Sequence, residues 1–352
     1  MEKLRSLLKK EINIRENRAI PAWLIALLVF VLILGLLLFS PKLFKTANEG
    51  RNAEQLPSGK RIYGESAAVV TARQTGVFAQ PDRRELRLCS LIYNEVVEVL
   101  DQSSGRFWKV RLPSGLEAYV EAEDLSLDTD CVEPELAYYR ALVIGREKRL
   151  FSHAKKGELL QIVPLGASLY ADYRSADLLR IRLPNGRSAW ASTDDLELTS
   201  VNESKQLTRT EALSRFRTSL MAFHSAPYLP GQMTIDGIDL PGAVKLSAKL
   251  CGLDLPRRLE DLMNFKEHIT IGKDAETGLP DFKQLQPGDL LFFRTYDGAG
   301  KETFLLAVLM DDEIVLMAKS NSSIIGLWDL SNDSEQKKNL AFAIRLFEDW
   351  QD

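Results

Sequence analysis

Trp108-Lys-Val-Arg-Leu-Pro-Ser-Gly-Leu-Glu-Ala-Tyr119 returns 71 residues later as Leu179-Arg-Ile-Arg-Leu-Pro-Asn-Gly-Arg-Ser-Ala-Trp190, and the register holds to Asp124-Leu125 and Asp195-Leu196. In each copy apolar residues alternate (Trp108, Val110, Leu112; Leu179, Ile181, Leu183), the period of a strand with one buried face. Pro-Ser-Gly or Pro-Asn-Gly then supplies a hairpin turn, and the chain comes back through an aromatic residue. Upstream lies another alternating strand in each copy, Val97-Glu-Val-Leu100 and Ser168-Leu-Tyr-Ala171. The spacing predicts a small barrel of short strands, built twice, over residues 66–130 and 140–199.

The remainder of the 352 residues is ordinary globular material: 45% hydrophobic, 27% charged, with 21 Gly and 14 Pro, which excludes a wholly disordered chain. A net charge of -4 gives no general basis for holding a phosphate backbone, so nucleic acid is not expected as a partner.

The N-terminus is basic up to residue 18 (Lys3, Arg5, Lys9, Lys10, Arg15 and Arg18 against Glu2, Glu11 and Glu16), and no charge occurs between Arg18 and Lys42. At 1.5 Å per residue, about 23 uncharged residues span roughly 34 Å, enough for a bilayer core of about 30 Å. Residues 19–41 are therefore expected to form a transmembrane helix, with 1–18 as a cytoplasmic tail, 42–65 as a linker and the bulk outside the cytoplasmic membrane. Trp23 and Phe39 suit its two interfaces.

The stretches VVTARQTGVFAQPD and NEVVEVLDQSSGRFWKVRLPSGLEAYVEAEDL resemble a bacterial SH3-like domain, and the repeat extends the resemblance to the second copy. The resemblance implies barrels that bind cell-wall peptide or position a neighbouring domain. Trp108, Tyr119 and Trp190 are candidate binding aromatics, with a core role for each as the open alternative.

After Thr208 the period becomes helical, with Leu213, Phe216, Leu220 and Phe223 on one face. PYLPGQMTIDGIDLPG, Gly252-Leu-Asp-Leu-Pro-Arg257, Leu285-Gln-Pro-Gly-Asp-Leu-Leu-Phe-Phe293 and TFLLAVLMDDEIVLMAKS follow. These pieces resemble an NlpC-type papain-like cell-wall peptidase, whose motifs read approximately P-Y-x-W-G-G, G-x-D-C-S-G, G-x-x-L-P-R, L-x-P-G-D-L-x-F-F and H-V-G-I-Y. The resemblance implies an α+β domain over 208–352, and hence a multidomain chain: one transmembrane helix, two all-β SH3-like barrels and the papain-like unit.

Papain-like chemistry needs a thiolate at a helix N-terminus and a histidine on a neighbouring strand. Against the family motifs, Leu240 stands at the nucleophile, Phe304 at the histidine and Met317 at the orienting residue, all apolar. Cys251 lies 11 residues beyond Leu240, about 16 Å along a helix, too far to substitute. No Cys/His spacing suggests a metal, and no cofactor is expected.

The groove itself is the remaining candidate. Tyr228 matches a substrate-facing tyrosine, and Asp239 an aspartate that in SH3-bearing relatives helps hold the amine of a stem peptide; core packing and helix capping are the alternatives. Cys89 and Cys131, near the start and just past the end of the first barrel, are expected to form a disulfide if the strands bring them together. The sequence thus predicts a membrane-anchored envelope scaffold or pseudoenzyme that binds peptidoglycan stem peptide or envelope proteins. The alternatives are an active γ-D-glutamyl-diaminopimelate endopeptidase using other residues and a purely structural envelope subunit. The oligomeric state stays open.

Overall fold

A computed structural model describes residues 62–201, 207–319 and 322–351. Within them the repeated segments fold into two seven-stranded antiparallel sheets. The first holds β1 (Ala67–Val70), β2 (Gln74–Phe78), β3 (Arg87–Ile92), β4 (Val96–Asp101), β5 (Phe107–Arg111), β6 (Glu117–Glu121) and β7 (Leu125–Ser126). The second holds β8 (Tyr139–Val143), β9 (Glu147–Phe151), β10 (Leu159–Pro164), β11 (Ser168–Ser175), β12 (Leu178–Arg182), β13 (Ser188–Ser192) and β14 (Leu196–Ser200). Their orders, β3-β2-β6-β5-β4-β1-β7 and β10-β9-β13-β12-β11-β8-β14, are one order shifted by seven strands. Alternation explains it: Val110, Ala118 and Val120 fill one interior, and Leu179, Ile181 and Ala189 the other.

The turn between β3 and β4 and its counterpart between β10 and β11 both need a left-handed residue. Asn94 (φ 64) supplies it in the first and Gly166 (φ 81) in the second. Asn94 Nδ2 donates to the Ser168 carbonyl of the second sheet at 2.9 Å. A Cβ on Gly166 would come within 2.5 Å of Leu246 Cδ2, so only glycine admits that side chain.

Leu246 belongs to the third part. Its first helix, α1 (Arg209–Met221), opens with a capping box between Thr208 and Glu211 and buries Ala212, Phe216 and Leu220. The second, α2 (Leu240–Leu250), is apolar nearly all round and is buried accordingly. A hairpin of β15 (Met233–Thr234) and β16 (Gly237–Ile238) precedes α2, the short helix α3 (Leu259–Met263) follows it, and an antiparallel sheet comes next with the short helix α4 (Ser334–Lys338) before its last strand. That sheet runs β20-β19-β18-β17-β21, with β17 at Leu290–Tyr296, β18 at Glu302–Asp311, β19 at Ile314–Met317, β20 at Gly326–Asp329 and β21 at Leu340–Ile344. Asp236, in the β15–β16 turn, is paired with Arg73 of the first sheet at 2.8 Å and with Arg146 of the second.

The expected fold class requires correction. Among the described residues no helix is long and apolar enough to cross a membrane, and the described fold is mostly β-sheet. The longest described helix has 13 residues, about 20 Å, against a bilayer core of about 30 Å. The expected span, 19–41, and its flanks 1–18 and 42–61 lie outside the described residues.

Candidate functional site

Asp239 caps α2, its Oδ1 accepting the Gly242 N–H at 2.8 Å. Its Oδ2 accepts the Gly231 N–H at 2.7 Å, which closes the loop before β15 onto the helix start. Arg257 completes the carboxylate with a two-pronged pair, Nη1 to Oδ1 at 2.9 Å and Nη2 to Oδ2 at 3.0 Å. Both residues are buried, Asp239 at 8% and Arg257 at 7% exposure. Every hydrogen-bonding direction of the carboxylate is thereby engaged, so Asp239 has none left for an incoming amine. Arg257 Nη2 also donates to the Gln232 carbonyl at 3.0 Å, while its Nε has no partner. Tyr228 is half-buried beside this pair; burial, and then the Asp239 charge, push its hydroxyl above the usual tyrosine range.

Leu240 is the first residue of α2, where a thiolate would gain most from the helix dipole, and it is 2% exposed. Met317 is fully buried on β19. Register decides how these relate to β18. Ala307 stands opposite Met317, and β18 is regular there, so Leu305, Ala307 and Leu309 share the Met317 face. Phe304 belongs to the other face, with Leu306 and Phe292. Its ring lies 5.7 Å from Phe342, which stacks on Phe292 at 4.7 Å and on His268 at 3.9 Å. Phe304, the residue expected at the histidine position, therefore stands on the sheet face away from Met317. Leu305, the neighbour of Phe304 that does share the Met317 face, is apolar as well.

Of the other candidates, Trp108 packs on the interior of the first sheet. Tyr119 lies on that sheet's opposite face, across from Lys109 and Phe78. Trp190, at the equivalent position of the second sheet, meets Tyr173 edge-on at 5.9 Å. Each keeps to its own sheet. The expected disulfide is absent: Cys89 and Cys131 are both free and buried. The reason is the alternation of β1. Cys89 sits in the core with Ala68 and Val70, whereas Cys131 packs with Val69 and Val132 in a separate cluster. Burial pushes the thiols up to about 11 at Cys89 and about 12 at Cys131. Cys251, likewise buried and pushed up to about 12, donates to the carbonyls of Ala212 and Ser247, tying α2 to α1. Among the described residues no group of three His, Cys, Asp or Glu side chains is placed to hold a metal.

The whole architecture has relatives of known structure. An NlpC/P60 family protein from Bacillus cereus ATCC 10987 superposes with a TM-score of 0.62 at 17% identity, covering 80% of this chain and 100% of that one. The chain has an NlpC/P60-like fold. An NlpC/P60 endopeptidase from Photobacterium damselae subsp. piscicida gives a TM-score of 0.50 at 13% identity, covering 85% of this chain and 74% of that one. The NlpC/P60-like architecture reaches beyond the helices and the β17–β21 sheet, since 80% of the chain is more than residues 208–352 supply. No family model matches the sequence, and no curated protein matches it.

Proposed function

We propose that this chain is a non-hydrolytic relative of the NlpC/P60 peptidases, acting as a scaffold that binds peptidoglycan, with SH3-like barrels over 66–130 and 140–199 and the degenerate papain-like unit over 208–352. What supports the reading is that the residues we assign to the reacting positions, Leu240, Leu305 in place of its neighbour Phe304, and Met317, are buried or half-buried hydrocarbons. Leu240 at the head of α2 can neither ionise nor attack a carbonyl. Leu305, with Met317 on its face, can neither take a proton nor orient a group that does. The histidines do not compensate: His153, His224 and His268 are all exposed, and His268 is engaged by the Met263 carbonyl and the Phe342 ring. With Asp239 saturated by Arg257, recognition in the old groove falls to Tyr228 and the surrounding backbone.

The test is turnover of purified muropeptides by the full chain, beside sedimentation with isolated sacculi. Binding without cleavage at γ-D-glutamyl-diaminopimelate bonds is the expected result. Cleavage by the wild type that persists in Leu240→Ala and Leu305→Ala would replace the proposal with an enzyme using another site. Failure to sediment, with capture of envelope proteins by crosslinking, would replace peptidoglycan by a protein partner.

A further inference from the structure

Strand pairing puts one side chain from each of five strands of the second sheet on a single row. Leu159 of β10 stands opposite Phe151 of β9, Phe151 opposite Trp190 of β13, Trp190 opposite Arg180 of β12, and Arg180 opposite Tyr173 of β11. Their neighbours in sequence, Leu150, Leu179 and Ala189 among them, fill the interior, so the row faces outward. The rings follow this register: Trp190 meets Tyr173 edge-on, and the Arg180 guanidinium lies 5.6 Å from the centre of the Tyr173 ring. Among the described residues none of the four apolar members packs against the core that the second sheet shares with the third part. Phe151, Trp190, Arg180 and Tyr173 are half-buried. Leu159 is 49% exposed, and a bulge after it leaves Leu160 exposed as well, at 42%.

The first sheet carries the same row with other chemistry: Arg87, Phe78, Tyr119, Lys109 and Asp101. There the phenylalanine is only 4% exposed, with the Arg87 guanidinium 5.7 Å from its ring centre, and Lys109 is paired with Glu117 at 2.7 Å. In the second sheet a leucine takes the place of Arg87 and a tyrosine that of Asp101. Two charges are thus exchanged for apolar groups on an outward face, the mark of a surface that meets a partner.

The order of the row selects that partner. In reverse it runs Tyr173, Arg180, Trp190, Phe151, Leu159. Laid antiparallel on a second copy, Trp190 falls on Trp190, Arg180 on Phe151 and Tyr173 on Leu159: ring on ring, cation on ring, ring on aliphatic. The one cation in the row meets an aromatic face rather than its own like charge, and Asp172 holds its Nε at 2.8 Å. A two-fold interface imposes this condition, that a patch match its own reverse. The bulge blunts β10 as an edge for strand addition, which leaves the face as the surface of contact.

We propose that the chain forms a two-fold dimer through this outer row of the second sheet, with Trp190 on the axis. At about 4.8 Å between strands the row is roughly 19 Å long, which places the contact among small, weakly associating interfaces.

Sedimentation equilibrium of the full chain tests this, with a dimer dissociating at about 1–100 µM as the expected result. Trp190→Glu should leave a monomer up to about 200 µM, since the residue enters the interface twice, whereas Tyr119→Glu, at the same place in the first sheet, should change nothing. Leu159→Lys and Tyr173→Asp should each weaken the dimer about tenfold. Mixing these two variants should restore association as a heterodimer, because the reversed row sets position 159 of one copy against position 173 of the other. A monomeric wild type, whether or not it takes up a saccharide at Trp190, would overturn the proposal. So would a dimer that survives Trp190→Glu, or a mixture no tighter than its components. Circular dichroism of each variant separates loss of the interface from loss of the fold.

Discussion

Removing Arg257 and Asp239 together should cost less than the two single removals added. Both groups are more than nine-tenths buried and meet through two contacts at 2.9 and 3.0 Å. Breaking such a pair from one side typically costs about 3–5 kcal/mol, since a charge is left buried without its partner. In Arg257→Met the Asp239 carboxylate keeps the Gly231 and Gly242 N–H bonds, which favours the lower end, about 3 kcal/mol. In a unit of this size that lowers the melting temperature by roughly 6–12 °C. Asp239→Leu should cost more, because it strands the guanidinium, removes the helix cap (about 1 kcal/mol) and orphans the Gly231 N–H. The double variant should be about 2–3 kcal/mol more stable than the sum of the two losses, because neither stranded charge survives in it. Urea unfolding of the four proteins at constant m closes the cycle. A loss below about 1 kcal/mol in Arg257→Met, or strict additivity, would refute the view of Asp239 as a carboxylate that depends on its arginine.

The three thiols should stay reduced and inert in the folded protein: at pH 8 a thiol titrating near 11 is only about one part in a thousand thiolate. Non-reducing mass spectrometry should find no Cys89–Cys131 bridge, and disulfide reagents should label all three only above the unfolding midpoint; rapid labelling of the native chain would contradict their burial. Gly288→Ala should destabilise by about 1–3 kcal/mol in chemical denaturation, because φ is 98° there and the new methyl would run into Leu213; a neutral result would mean that α1 shifts freely. Lys249→Met should leave the melting temperature unchanged or raise it by a few degrees, the sign expected when a desolvated, unpartnered charge becomes apolar; a fall of that size would indicate a partner for the ammonium.

The strands of both sheets could be read from the sequence because alternation and turn residues are local signals that need no knowledge of the rest of the fold. Leu240 was legible for a similar reason: an aspartate cap and a proline announce a helix start, and the residue between them is named by its place. The facing of Phe304 was not legible because Phe304-Leu-Leu-Ala-Val-Leu309 is apolar at every position, and such a run carries no parity. Only the pairing of Ala307 with Met317 reveals which half faces which way. The saturation of Asp239 was hidden in a partner 18 residues on.

The left-handed turn that precedes β4 and β11 makes the two copies directional. In the first copy the turn offers an amide side chain that grips the second copy; in the second it withdraws its side chain so that helix α2 can seat. The same corner thus makes two different couplings, each facing the next segment of the chain. The duplicated units are consequently not interchangeable. A chimera with the copies transposed would set an asparagine against Leu246 and a bare glycine against Ser168, so each sheet could fold while both junctions came apart. Exchanging only Asn94 and Gly166 should reproduce that failure with two substitutions.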